Sequence, residues 1–240
     1  NSMIDACAKA RPSYPELALK LLDDMKQKGI ALTEYSYNSA IHACGKAGLI
    51  EEVDRLMNEM KISGCEQNEI TYSASMTKGT GKRVLGDMKL AGLNIDSQAY
   101  GAAIKHEDSS GSAQLLKESS KIGFTPTIEA YNAALSSAAK GENLNLAKDM
   151  LRKMRLEGIT PNLKSYSSVL LACSKKGDTE EALSLYEQMV RENVAPDTMA
   201  MNHIISTSVR AKKTDIAMSF FEAMLAKGPA PNKHTYTVIT

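Results

Sequence analysis

Tryptophan is absent from this 240-residue chain, phenylalanine occurs only three times, and none of the four cysteines stands in a CxxC pair. With so few large rings, the core has to be assembled from many small, similar contacts rather than one aromatic cluster. Isolated cysteines exclude a zinc site or a disulfide framework and point to reduced thiols. His42, His106, His203 and His234 stand apart, without HExxH or comparable ligand spacing. No apolar run approaches the roughly 20 residues that span a bilayer. A formal net charge of +1 gives no strong field of either sign, although a basic stripe can coexist with an acidic back face.

What is present is a period. Helix-opening dipeptides recur at Tyr37-Asn38, Tyr72-Ser73, Tyr100-Gly101, Tyr131-Asn132, Tyr166-Ser167, Met201-Asn202 and Tyr236-Thr237. Gly29, Gly64, Gly92, Gly123, Gly158, Asn193 and Gly228 make a second ladder with the same steps, and Asn is the non-glycine residue that best tolerates a left-handed helix end. Pro126, Pro161, Pro196 and Pro231 make a third, and Met154, Met189 and Met224 a fourth. Unrelated residue types sharing one period mark a repeat architecture. In the unit 163–197, Ser165 to Cys173 reads as a first helix with a small-residue apolar face, and Lys176-Gly177-Asp178 as a turn. Thr179-Glu180-Glu181 then opens a second helix whose buried stripe is Ala182, Leu185, Tyr186 and Met189. Such a hairpin cannot bury its apolar face alone, so units must stack. Cys7, Cys44 and Cys173 share one repeat position with Ala138 and Ser208, which asks for a small buried residue. The Met ladder, with Met25 and Met60, reads as packing between second helices.

The expected fold is therefore all-α: one array over 1–240, with units at about 1–33, 34–68, 69–96, 97–127, 128–162, 163–197 and 198–232 and a partial unit at 233–240. Two units are short, lacking residues around Thr77 to Arg83 and around His106 to Ser112. Two extra residues lengthen the turn between Lys9 and Glu16. Asn1 aligns with Asn38 inside a first helix, so the sequence is expected to be a fragment of a longer array. The run Lys78 to Arg83 lacks the GxxxxGK[ST] spacing of a phosphate loop and reads as a flexible basic turn.

The thirty-five-residue period, the Tyr-Asn opening and the Gly-x-x-Pro-Asn/Asp closing resemble pentatricopeptide repeats, most clearly in Tyr37 to Gly48 and Val194 to Asp197. The resemblance implies a right-handed α-solenoid that binds single-stranded RNA on its concave face, one base per repeat. It also implies paired base-reading residues: Asn38 with Asn68, Ser73 with Asp96, Gly101 with Thr127, Asn132 with Asn162, Ser167 with Asp197 and Asn202 with Asn232, preceded by Asn1 with Thr33. In the family, Asn/Asn goes with pyrimidines and Ser/Asp with guanine. The implied track is pyrimidine, G, unspecified, pyrimidine, G, pyrimidine. Gly101 has no side chain with which to read.

Eight residues beyond the reading position stand Lys9, Lys46, Lys140, Lys175 and Arg210, either a ladder for phosphates or solvated turn cations. Tyr35, Ile70, Gln98, Glu129, Lys164, Met199 and His234 occupy the position where the family places an aliphatic side chain against the base, and only Ile70 and Met199 fit that pattern. The sequence carries neither the HxE and PCxxC of a deaminase nor an acidic nuclease cluster, so it reads as a non-enzyme without cofactor, membrane partner or small-molecule substrate. The resemblance places it in a chloroplast or mitochondrion. Two functions stand: sequence-selective RNA binding in organellar RNA processing, stabilisation or translation, or a scaffold contacting protein subunits of a larger complex.

Overall fold

A computed structural model describes residues 2–10 and 13–239, and every regular element among them is a helix. Short helices alternate in hairpins: α1 (Ser2–Lys9) with α2 (Pro15–Gln27), α3 (Glu34–Ala47) with α4 (Ile50–Ile62), and α5 (Glu69–Ser75) with α6 (Gly81–Leu90). Then follow α7 (Ser97–His106) and α8 (Ser109–Lys121), α9 (Ile128–Lys140) and α10 (Leu144–Leu156), and α11 (Leu163–Lys176) and α12 (Thr179–Arg191). The described chain closes with α13 (Thr198–Arg210), α14 (Thr214–Ala226) and α15 (Lys233–Ile239). Two compact units divide the chain, Asn1–Glu107 and Asp108–Thr240, so α7 belongs to the first and α8 to the second.

Each first helix starts on a side-chain acceptor. Thr33, Asn68, Asp96, Thr127, Asn162 and Asp197 cap α3, α5, α7, α9, α11 and α13, each accepting from the backbone N–H three residues on. A helix leaves its opening N–H groups without internal partners, and such a cap stabilises it by about 1 kcal/mol. Second helices close on Gly29, Gly64, Gly92, Gly123 and Gly158 with φ between 66° and 89°, and Asn193 takes the same turn at φ 56°. Gly228 departs from this ladder and is not left-handed; a Cβ there would meet Met224 Cα at 2.8 Å, so it is glycine for closeness rather than for φ.

The turn between the two helices of a hairpin has a ladder of its own: Gly48, Glu142, Gly177 and Lys212, all at positive φ. Two of its four members are not glycine, which is why its period is invisible by residue type.

In the first unit, α1, α3, α5 and α7 pack successively on one another, with α2, α4 and α6 against them. The second unit repeats the plan with α9, α11, α13 and α15. Small side chains let first helices approach: Ala40, Ala43, Cys44, Ala134, Ala138, Ala172 and Cys173 are fully buried. Met60, Met154 and Met189 are fully buried on the second helices, each contributing roughly 2 kcal/mol of apolar burial. Tyr37, Tyr131 and Tyr166 bury their rings and keep a polar tip in contact, whereas Tyr236 is exposed. Tyr37 donates to Glu59 Oε1 at 3.0 Å and Tyr131 to Glu157 Oε2 at 2.8 Å, while Tyr166 accepts from Arg155 at 2.7 Å.

The residues missing from the two short units come out of first helices and, in the earlier unit, out of α6 as well, which has 10 residues against 13 in the other second helices. α5 has 7 residues and α7 has 10, against 13 or 14 in α3, α9, α11 and α13. After α5 the chain turns on a buried pair, the Thr77 N–H donating to Thr80 Oγ1 at 2.8 Å and Thr80 Oγ1 to the Thr77 carbonyl at 3.0 Å. Lys78 to Thr80 is thus an ordered turn, and Gly81 to Arg83 form the start of α6. Gly81 is required there because a Cβ would lie 2.8 Å from Ala103 Cα, in the body of α7. At Gly101, by contrast, a Cβ would meet nothing within 4 Å. Gly81→Ala should therefore destabilise the protein by about 1–3 kcal/mol through overpacking, whereas Gly101→Ala should stabilise it by roughly 0.5–1 kcal/mol through helix propensity. Denaturant midpoints of the two variants should move in opposite directions.

Candidate nucleic-acid interface

The cap of each first helix and the residue five positions beyond it recur along both units, and they are the residues singled out in sequence. The cap is the last residue of one unit, and in two cases it meets the fifth residue of the preceding first helix. In the second unit this brings two pairs together with closely matched geometry. Asn132 Nδ2 donates to Asn162 Oδ1 at 3.3 Å, and Asn132 Oδ1 accepts from Ser165 Oγ at 2.7 Å. Asn202 Nδ2 donates to Asn232 Oδ1 at 3.3 Å, and Asn202 Oδ1 accepts from Thr235 Oγ1 at 2.7 Å. Both inner asparagines are buried, while Asn162 and Asn232 are exposed.

The other pairs are not closed by hydrogen bonds among the described residues. Asn68 Nδ2 lies 3.5 Å from Glu34 Oε2 instead, and Asn38 Oδ1 is buried without a partner. Ser73 is exposed, and Asp96 Oδ1 accepts from the Ala99 N–H at 2.8 Å. Ser167 Oγ is buried without a partner, while Asp197 Oδ1 caps the Ala200 N–H at 2.8 Å. Gly101 lies in the first unit and Thr127 in the second. Asn1, expected to pair with Thr33, lies outside the described residues.

Capping decides what each pair can offer. Asn162 commits Oδ1 to its own helix and to Asn132, so its free group is the Nδ2 donor. Asp197 commits Oδ1 in the same way, so its free group is the Oδ2 acceptor. Asn/Asn pairs therefore present donors and the Ser/Asp pairs present a carboxylate acceptor, on one backbone frame.

Around these pairs, Tyr35, Ile70, Gln98, Glu129, Lys164, Met199 and His234 are all exposed, including three large apolar side chains at 50%, 68% and 59% for Tyr35, Ile70 and Met199. The basic ladder divides. Lys46 Nζ donates to the Ala8 carbonyl at 2.7 Å, and Lys175 Nζ to the Lys140 carbonyl at 3.1 Å, each holding the end of the preceding first helix. Lys9 pairs with Asp5 at 2.6 Å. The Lys140 and Arg210 side chains are exposed and make none of these bonds. Sequence reasoning missed the hydroxyls of Ser165 and Thr235; the Asn-x-x-Ser/Thr spacing of a capping box was the available signal.

The remaining titratable groups give no other site. Burial pushes the Cys44 thiol up to about 11 and Cys173 up to about 12, so both stay protonated and inert. No cluster of metal-ligating side chains occurs among the described residues, and no described helix is long and apolar enough to cross a membrane.

Successive helical hairpins whose first helices each open on a short polar cap define an α-helical repeat protein. The PPR repeat family model matches residues 1–46, 34–78 and 196–240, the pentatricopeptide repeat domain model 114–176, and the PPR repeat model 164–194. The chain belongs to the pentatricopeptide-repeat family. A mitochondrial pentatricopeptide repeat-containing protein of Arabidopsis thaliana is 26% identical, over 36% of this chain and 22% of its own length. Small ribosomal subunit protein mL103 of the same plant is 30% identical over the same shares. Among solved structures, maize PPR10 in complex with an 18-nucleotide psaJ RNA element superposes with a TM-score of 0.79 at 24% identity, covering 92% of this chain and 34% of PPR10. The chain thus spans about a fifth of the length of those curated relatives and a third of PPR10.

Burial lowers the imidazole pKa of His42, His106 and His203 below the usual 6.5; at His203 the neighbouring His234 adds to the effect and Asp197 opposes it. The folded state thus takes up protons less readily than the unfolded chain. Stability should be lost as pH falls below 6.5 towards the depressed values. The denaturant midpoint should fall between pH 7 and pH 5, and His203→Gln should flatten that fall; an unchanged slope would assign it to other groups.

Proposed function

We propose that the chain is a non-catalytic, sequence-selective binder of single-stranded RNA, reading one base per hairpin and working in a plastid or mitochondrion on RNA processing, stabilisation or translation. The observation that carries this reading is the repeated Asn–Asn clamp at 132/162 and 202/232, whose common geometry leaves donors free at each repeat. Donors suit the O2 carbonyl that both pyrimidines share. The free carboxylate oxygens of Asp96 and Asp197 suit the N1–H and N2–H₂ donors of guanine. The base-reading set is Asn38, Asn68, Ser73, Asp96, Asn132, Asn162, Ser167, Asp197, Asn202 and Asn232. Exposed Tyr35, Ile70 and Met199 give bases an apolar surface to lie against. PPR10 is solved with RNA, and the curated relatives are a mitochondrial protein and a ribosomal subunit protein, which supports both the ligand class and the organelle.

A scaffold reading draws on the ladder, since Lys9, Lys46 and Lys175 are already engaged within the protein and leave Lys140 and Arg210 for phosphates. Few phosphate contacts give a shallow salt dependence, with a slope of about −0.7 per contact on single strands. Fluorescence anisotropy against pyrimidine–G–N–pyrimidine–G–pyrimidine RNA, with a scrambled control of equal composition and several salt concentrations, separates the two. Preference for the track is expected; equal weak binding to both would favour the scaffold. Asp197→Asn replaces a free acceptor with a free donor, which meets the N1 acceptor of adenine rather than the N1–H of guanine. Preference at that one base should move from G to A by about fivefold, the worth of one hydrogen bond of ~1 kcal/mol; a flat response there would remove Asp197 from the reading set.

A further inference from the structure

In the two closed pairs the inner asparagine is held from a third side, by a hydroxyl three residues beyond the cap. Ser165 Oγ accepts from the Asn162 N–H at 3.2 Å, and of the two acceptors its own hydrogen can reach, Asn132 Oδ1 at 2.7 Å is nearer than Asn162 Oδ1 at 3.1 Å. Thr235 Oγ1 accepts from the Asn232 N–H at 3.0 Å and lies nearer Asn202 Oδ1, at 2.7 Å, than Asn232 Oδ1, at 3.1 Å. Turning the Asn132 amide over would set its oxygen against Asn162 Oδ1 at about the 3.3 Å now spanned by a hydrogen bond, oxygen facing oxygen. The hydroxyl and the cap therefore select one of the two amide orientations.

The sequence carries the same dependence. Where the fifth residue is Asn, the third residue of the next first helix bears a hydroxyl: Thr71 after Asn38, Ser165 after Asn132 and Thr235 after Asn202. Where the fifth residue is Ser or Gly, that position is Ala: Ala99 after Ser73, Ala130 after Gly101 and Ala200 after Ser167. A hydroxyl that served only the capping box would be as useful beside the caps Asp96, Thr127 and Asp197, which have Ala instead.

We infer that Ser165 and Thr235 are positioning residues: each fixes the amide of the preceding repeat's asparagine so that its nitrogen, not its oxygen, lies beside the cap, and thereby sets which base that repeat accepts. The second clause rests on the RNA reading above; the first does not. The pair Asn38/Asn68 supplies an internal comparison. There the Thr71 hydroxyl donates to Asn68 Oδ1 at 3.2 Å, Asn38 Oδ1 has no partner, and the latch is open.

The test uses the ¹⁵N-labelled chain and reads side-chain amide exchange. Asn132 and Asn202 Nδ2 protons should exchange about tenfold more slowly than those of Asn38, as each has a hydrogen-bonded partner to leave. Ser165→Ala should bring Asn132 to the Asn38 rate without changing Asn202, and Ser165→Thr, the residue found at position 235, should restore it. Thr235→Ala repeats the test at Asn202 should the first variant fold poorly. Unchanged Asn132 exchange in Ser165→Ala would overturn the inference. With RNA, Ser165→Ala should flatten preference at the base opposite 128–162 while preference opposite 198–232 persists. A uniform loss of affinity with base ratios intact would reduce Ser165 to a capping role and overturn its part in specificity. Absence of any track preference in the unmodified protein would remove the RNA reading, and amide exchange alone would then decide the latch.

Discussion

Everything in this molecule depends on first helices lying against first helices. A single hairpin has an apolar stripe on each of two short helices and nothing of its own to cover both. Ala40, Ala43, Cys44 and Gly45 in α3, and Ala172 and Cys173 in α11, bring neighbouring backbones close enough to make the stack continuous within each unit. At Gly45 a Cβ would already sit 2.8 Å from the Ala74 carbonyl oxygen in α5. Stability then resides in the contacts between repeats rather than within any one of them. That also explains a core with no tryptophan: Met60, Met88, Met154, Met189 and Met224, with many alanines, fill a seam that recurs, where one large ring would fit one place.

The same stacking gives the start of a first helix two jobs. A cap must offer an acceptor to its own helix, and at Asn162 and Asn232 it also stands beside the fifth residue of the previous one. Only short polar side chains meet the first demand, so Thr, Asn and Asp fill the position throughout. Because an amide and a carboxylate spend one oxygen alike on the cap, they differ only in the group left over. Fold and proposed recognition thus use opposite ends of one side chain.

Period, helix order, the methionine seam and the buried cysteine position were legible in the residue types, because each rests on one side-chain property recurring at fixed spacing. Left-handed turns at Glu142 and Lys212 were not, since geometry imposed by stacking there overrides residue preference. Gly228 was misleading for the converse reason: its lack of a Cβ serves contact with Met224. The short units were visible as shortened steps, but sequence could not show that the loss falls on α5, α6 and α7, nor that Lys78 to Thr80 forms an ordered turn into α6. Pairing at 132/162 and 202/232 followed the spacing, whereas Asn68 turns towards Glu34 and leaves Asn38 open. Nor could spacing tell which cations were spoken for; Lys46 and Lys175 hold backbone carbonyls of a neighbouring helix.

Asparagine and aspartate are close to interchangeable as helix caps. Exchange between them at positions 68, 96, 162, 197 or 232 leaves the thermodynamics of folding nearly level while altering the chemical face turned outwards. Mutational drift at the caps is thereby uncoupled from the risk of unfolding, and under the proposed RNA reading a lineage could change its ligand letter by letter without passing through unstable ancestors. Glu34, reaching across to Asn68, is a local brake on that freedom: an aspartate at 68 would face a carboxylate of like charge.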